Sequence, residues 1–390
     1  MINTRDANSL FFGTCVANAD IFKTCETRPK RIPCPPLCDA AEQVPAGKWR
    51  RLAGQGLVLL VLGWVLSVGA GAAAGEADAT VLEQLAGKVK PGTWLDVTDQ
   101  MQGFERGLWS PIEGGRSILN FGARGSWDPI TKQVLFISMG GPRDTARFLG
   151  YSAASNRWSI RLDPGWFAVD KSSGGHRLNT NAVDPGRSLF YYQSPAGPIR
   201  CCDLRQDTWS TLPAADDSAA GRATAFVYVP DFDGLVGFFG DQVRLWHVPN
   251  RTWSLLATLP DRTPMHFAEY HPQHKLVYFG RVRGAPMYKL DLSKTVTRLT
   301  DAPVPLKFGN GHVRLDPRGG LFVVPYKRAE DNIVLFTFDV LKDRWQEHKD
   351  VEVPEELFSR TMSVSIPTYD VLMYATLRNV FLYKHPQVGE

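Results

Sequence analysis

The sequence predicts an all-β chain folded as a six-bladed β-propeller, closed by an N-terminal strand that pairs with the last blade. Three observations carry this. A closing segment, made of a large residue, a polar turn and then a tryptophan, recurs along the chain. Six units of strand, turn and apolar strand precede or follow those segments. One further closing strand, around Trp94, stands ahead of any blade that it could close.

The closing segments are GYSAASNRWSI from Gly150, CCDLRQDTWSTL from Cys201, LWHVPNRTWSLL from Leu245, YKLDLSKTVTRL from Tyr288 and TFDVLKDRWQEH from Thr337. Tyr151 leads to Trp158, Trp246 to Trp253 and Phe338 to Trp345, each seven places on, whereas Tyr288 to Val296 departs by one residue and lacks the tryptophan. The closing positions 158, 209, 253, 296 and 345 are 51, 44, 43 and 49 residues apart. Steps of about 40–50 residues match one four-stranded propeller blade.

The second element reads WDPITKQVLFISMGG, VDPGRSLFYYQ, VPDFDGLVGFFG, HPQHKLVYFG, LDPRGGLFVVPY and IPTYDVLMYA. Proline and aspartate preset a tight turn, and the β-branched and aromatic run behind it reads as a buried strand. Six such elements face five closing segments, because the last unit stops after its third strand at NVFLYKHPQVGE. PGTWLDVTD, Pro91 to Asp99, supplies the missing strand. Trp94 is therefore expected beside Val380 to Tyr383, so that interleaved ends remove the exposed edges of an open array.

These residues resemble kelch repeats, whose blades carry a glycine doublet after the second strand, an aromatic in the third and a tryptophan about seven places later. Gly140, Gly141, Tyr151 and Trp158 show the whole set in the first blade, and later blades keep less of it. The resemblance spans about residues 92–386 and implies a fold, shared with galactose-oxidase-like propellers, rather than an activity.

Ahead of the propeller the chain divides into 1–47, 48–75 and a linker at 76–91. Residues 52–75 contain no charged residue and follow Lys48, Arg50 and Arg51, with small residues at Ala72 to Gly75. That order reads as a cleaved secretory signal or as a retained signal-anchor, and either places the propeller outside the cytoplasm, secreted, periplasmic or tethered to a membrane. Residues 1–47 hold four of the six cysteines, at spacings that match no common zinc pattern, and read as a disordered or spurious leader. In the fifth and sixth cysteines, Cys201 and Cys202, strand alternation turns the thiols to opposite faces. Two buried free thiols are expected there.

Beyond residue 75 the chain carries 36 Lys/Arg against 35 Asp/Glu, a balance that gives no reason to expect nucleic-acid binding. No G-x-S-x-G, H-E-x-x-H or phosphate-loop motif is present. His271 and His274 read as solvated turn residues, and no cofactor or metal is expected. Function on such a scaffold is expected on the face of irregular loops. There Arg116, Arg177, Arg222, His266, Lys307 and Arg360 precede the six innermost strands and are expected to ring the channel mouth, with Asn310 as a hydroxyl partner and Trp166 as a stacking platform. Converging cations select an anion. The expected function is a monomeric binding module for an acidic glycan or a protein partner. The alternative is a polysaccharide lyase, with His176, His266, His312 and Arg360 as its candidate catalytic residues.

Overall fold

The structure is a computed structural model. It describes residues 79–110, 117–120, 123–139, 146–161, 166, 180–193, 198–213, 223–260, 267–281, 286–306, 313–328, 332–358 and 360–387. All of them belong to the unit Ala72–Glu390.

The described strands form six four-stranded antiparallel sheets. Blades 1 to 5 each run outward in chain order, from inner strands Ser126–Asp128, Asn181–Asp184, Ala225–Val229, Phe267–His271 and Arg314–Leu315. Blade 6 begins at Met362–Ile366 and takes its outermost strand, Trp94–Asp96, from the N-terminal end. Each inner strand packs beside those of the neighbouring blades, and blade 6 meets blade 1, so the sheets form a closed ring.

The polar turns exist because their aspartates hold them. Asp128 accepts the backbone N–H of Thr131 at 3.0 Å, and Asp184 that of Gly186 at 2.9 Å. Between third and fourth strands, Asp203 accepts from Arg205 N–H and Asp339 from Leu341 N–H. Each satisfies turn amides that the sheet leaves over. One residue per turn adopts positive φ, such as Asp233 at 45° and Asp370 at 55°.

The core is divided among the seams between blades. Leu135, Ile137 and Phe148 of blade 1 pack on Phe190, Tyr192 and Cys202 of blade 2, and five comparable clusters fill the other seams. Cys202 lies opposite Trp209 in that first seam, while Cys201 faces the seam between blades 2 and 3. Both are buried and free, and burial pushes each thiol up to about 12, so neither is a nucleophile at neutral pH.

The expected pairs recur as cross-strand neighbours: Tyr151 with Trp158, Trp246 with Trp253 and Phe338 with Trp345. Blade 4 corrects the alignment made from sequence. Val296 lies opposite Leu290, not Tyr288, because its turn is one residue shorter. Trp94 lies opposite Tyr383, stacked at 4.5 Å, and so repeats the aromatic–tryptophan pair of blades 1, 3 and 5. Residues 76–91, read as a linker, include helix α1 (Val81–Lys88). Thr80 caps it, accepting from Glu83 N–H, and its hydroxyl donates to Tyr369, while Leu82, Leu85 and Ala86 are buried. The helix therefore sits on the face of tight turns, where blades 6 and 1 meet. Among the described residues no helix is long and apolar enough to cross a membrane.

That face also carries clasps between successive blades. Ser188 donates to Asp128, Arg187 pairs with Asp233 at 2.6 Å, Lys275 with Asp231 at 2.8 Å, and Trp127 Nε1 donates to Thr368. His271 joins blades 4 and 5. It is fully buried, with Nε2 2.7 Å from the Gly320 carbonyl, and burial pushes it down to about 4; the expectation of a solvated side chain holds for His274 alone. In blade 5, Asp316 is also buried, and its Oδ1 has no hydrogen-bond partner among the described residues.

Two predictions follow from this packing. Trp94→Ala should lower unfolding free energy by about 3 kcal/mol in a denaturant titration, the usual cost of emptying a large aromatic site. Burial raises Asp316 from 3.8 to about 6. Its contribution to stability is therefore complete below about pH 4 and is lost as pH rises through 6, because only the folded state then forces a proton off in a dry site. Asp316→Asn should flatten that part of the stability profile and raise stability at pH 8 by about 1–3 kcal/mol.

Candidate functional site

The inner strands should be uniformly apolar, since neighbouring blades cover them on both sides. Besides the aspartates that open the turns, Glu269 and Arg314 break this rule within their strands, and Arg124 does so just ahead of Ser126–Asp128. Glu269 and Arg314 stand two places before the turn-opening residues His271 and Asp316, and Arg124 stands four places before Asp128. Even spacings keep them on one side of their strands. They meet across the channel.

Arg124 reaches from blade 1 to the far side of the ring, where Nη1 donates to the carbonyls of Phe226, at 2.8 Å, and Ala268. Its Nη2 lies 3.4 Å from Glu269 Oε2. Arg314 donates from Nη1 to Glu269 Oε1 at 3.0 Å, from Nε to the Ser363 carbonyl at 3.0 Å and from Nη2 to the Ala123 carbonyl at 2.9 Å. Asn181 of blade 2 donates to the Arg124 carbonyl and accepts from the Ser126 hydroxyl. All six blades thus contribute to one polar knot, whose charged side chains are at most 11% exposed.

Burial pushes Arg314 down to about 10, with Glu269 opposing that shift, so the guanidinium stays protonated at neutral pH. Two guanidinium groups against one carboxylate leave one positive charge uncompensated. A buried ion of this kind is tolerable only while its partners remain, since its desolvation is not recovered otherwise.

The knot forms the floor of a cavity of about 370 Å³. Pro129, Pro185 and Pro367 line its rim, and these belong to the turns between first and second strands, so it opens on the tight-turn face. Its wall includes Trp127 with the hydroxyls of Ser126, Ser365 and Thr368. Charge at the bottom, hydroxyls on the wall and flat apolar rings at the rim suit a small polar anion.

The sequence-predicted ring at the opposite mouth is only partly within view. Arg116, Arg177, Arg222, His266, Lys307, Asn310, His176 and His312 lie outside the described residues. Arg360 is exposed just before the inner strand of blade 6. Trp166 stacks on Tyr192 and meets Trp209 edge-on, with the Arg200 guanidinium 4.6 Å from its ring centre. These contacts are with the second, third and fourth strands of blade 2. Several irregular-face cations are locally engaged: Arg147 donates to the carbonyls of Gly107 and Leu108, Lys327 binds Glu355 at 2.6 Å, and Arg328 binds Glu347 at 2.8 Å. A cavity of about 480 Å³ between blades 5 and 6 there balances Lys327 and Arg378 against Glu355 and Glu356. Among the described residues no group of three His, Cys, Asp or Glu could hold a metal.

No family model matches the chain, and no curated protein matches it. Solved structures resemble its fold. A protein of unknown function from Bacteroides thetaiotaomicron is 12% identical at a TM-score of 0.48, over 68% of this chain and 70% of that one. A Niastella koreensis GH74 enzyme is 14% identical at 0.43, over 61% of this chain and 41% of its own, so the match spans less than half of that enzyme. Virginiamycin B lyase from Staphylococcus aureus is 7% identical at 0.43, over 68% and 94%. Such distant likeness is one of fold and transfers no activity.

Sequence reasoning that places function on irregular loops passes over the Arg124–Glu269–Arg314 triad, which stands on and beside inner strands. The triad's signal was present, as a charge two or four places before the turn in an otherwise apolar inner strand. Arg314→Ala should cost about 3–5 kcal/mol in chemical unfolding, because Glu269 loses a buried partner. Surface Arg298→Ala, whose pair with Asp301 is exposed, should cost about 0–1 kcal/mol.

Proposed function

We propose that this chain is an extracytoplasmic ligand-binding module, a kelch-like propeller with no chemistry of its own, whose ligand is an acidic glycan. The observation that carries the reading is the cavity on the tight-turn face, concave and floored by two arginines against one glutamate. A low-dielectric wall strengthens the attraction of that excess charge for an anion. Hydroxyl and tryptophan walls suit a sugar better than a flat protein surface. The kelch-like part of the reading rests on Tyr151, Trp158 and their repeats, and the extracytoplasmic part on the uncharged run at 52–75.

Isothermal titration of the full chain with polygalacturonate, and with neutral galactan as control, tests this. Binding of the acidic polymer alone, weakening as salt rises from 50 to 500 mM, is the expected outcome. Equal binding of both polymers, or of neither, would remove the acidic-glycan reading. Growth of the ultraviolet absorbance of unsaturated uronates during incubation would replace the binding module with a lyase.

A further inference from the structure

The geometry points to a dead-end site in which the cavity on the tight-turn face takes a single carboxylate at the end of a uronic acid chain, rather than a stretch along its length. This rests on the acidic-glycan reading and narrows it to one chain end and one charge.

The floor is closed. Arg124 crosses from blade 1 to carbonyls of blades 3 and 4, and Arg314 ties Glu269 of blade 4 to carbonyls of blades 6 and 1. With both guanidinium groups and the carboxylate almost wholly buried, the channel does not pass a polymer at this level. A chain can enter only end-on. About 370 Å³ lies at the small end of the range for ligand pockets, roughly 300–1,000 Å³, and accommodates one or two sugar units.

A donor remains at the bottom. Nη1 of Arg124 is committed to two carbonyls and Nη2 makes a single bond, to Glu269. Its Nε–H has no acceptor among the described residues, and a guanidinium donor beside an excess positive charge suits a carboxylate. The charge matches as well. One uncompensated positive charge suits a monoanion, whereas a phosphate dianion would exceed it and meet Glu269 at close range. Above the floor, Ser126 and Ser365 can bond ring hydroxyls, and Pro367 offers a flat surface to the sugar's C–H face.

The test compares galacturonate, tetragalacturonate and polygalacturonate on the full chain, with concentration counted per chain end. Three proteins are used: wild type, Glu269→Gln and Ser365→Trp. The first variant keeps the shape and an acceptor oxygen but removes the carboxylate charge. The second fills the cavity without touching the knot. Tetramer and polymer should bind wild type with dissociation constants within about threefold of each other. Glu269→Gln should tighten binding about tenfold, an improvement that a damaged fold cannot produce. Ser365→Trp should abolish binding while its thermal transition stays in place.

Affinity that climbs with chain length, unaltered or weaker binding by folded Glu269→Gln, or full binding by Ser365→Trp would each overturn the dead-end site. The acidic-glycan reading would survive any of these, with its site on another surface. Failure of wild type to bind any of the three saccharides would instead refute that reading, and the dead-end site with it.

Discussion

A ring of sheets is stable only if its last member meets its first, and here that depends on one pairing. Trp94 to Asp96 adds the fourth strand to blade 6, so the first and last described strands lie in one sheet. Without it blade 6 would expose the edge of Val380–Tyr383 and lose the Trp94–Tyr383 stack. Every seam cluster is shared by two neighbouring blades, so closure lets all six seams be filled at once.

Closure also produces the polar knot. Arg124, Glu269 and Arg314 are far apart in sequence, and they meet because the closed ring sets blade 1 across from blades 3 and 4 and places blade 5 between blades 4 and 6. In a core built from apolar strands, three buried charges are a net expense unless they gain something else. They fix the relative positions of all six inner strands through directional bonds to backbone carbonyls, which apolar contacts cannot do. The same arrangement leaves one positive charge facing a cavity. Structural fixation and the proposed ligand attraction therefore draw on the same residues.

The tight-turn face consequently carries more than its regularity suggests. Helix α1, the clasps between blades and the cavity all lie there. Among the described residues of the opposite face, Lys327, Arg328 and Arg147 are held by carboxylates or carbonyls, and the cavity between blades 5 and 6 is balanced in charge. Loop irregularity marks where a scaffold can vary, but a charge excess in a concave site is a more direct sign of an anion's position.

By itself the sequence determined the blade number, the pairing of Tyr151, Trp246 and Phe338 with their tryptophans and the closing role of Trp94, because these follow from period, alternation and one unpaired strand. It misplaced Tyr288 by two positions, since a turn shortened by one residue shifts the apparent alignment without changing residue types. It also misread His271, because a turn position that is solvated in one blade is covered by Gly320 of the next in this one. Only the tertiary structure decided the site. A repeat specifies what each blade contributes to its own sheet, whereas the convergence of Arg124, Glu269 and Arg314 depends on which blades stand opposite and how far their side chains reach across the axis.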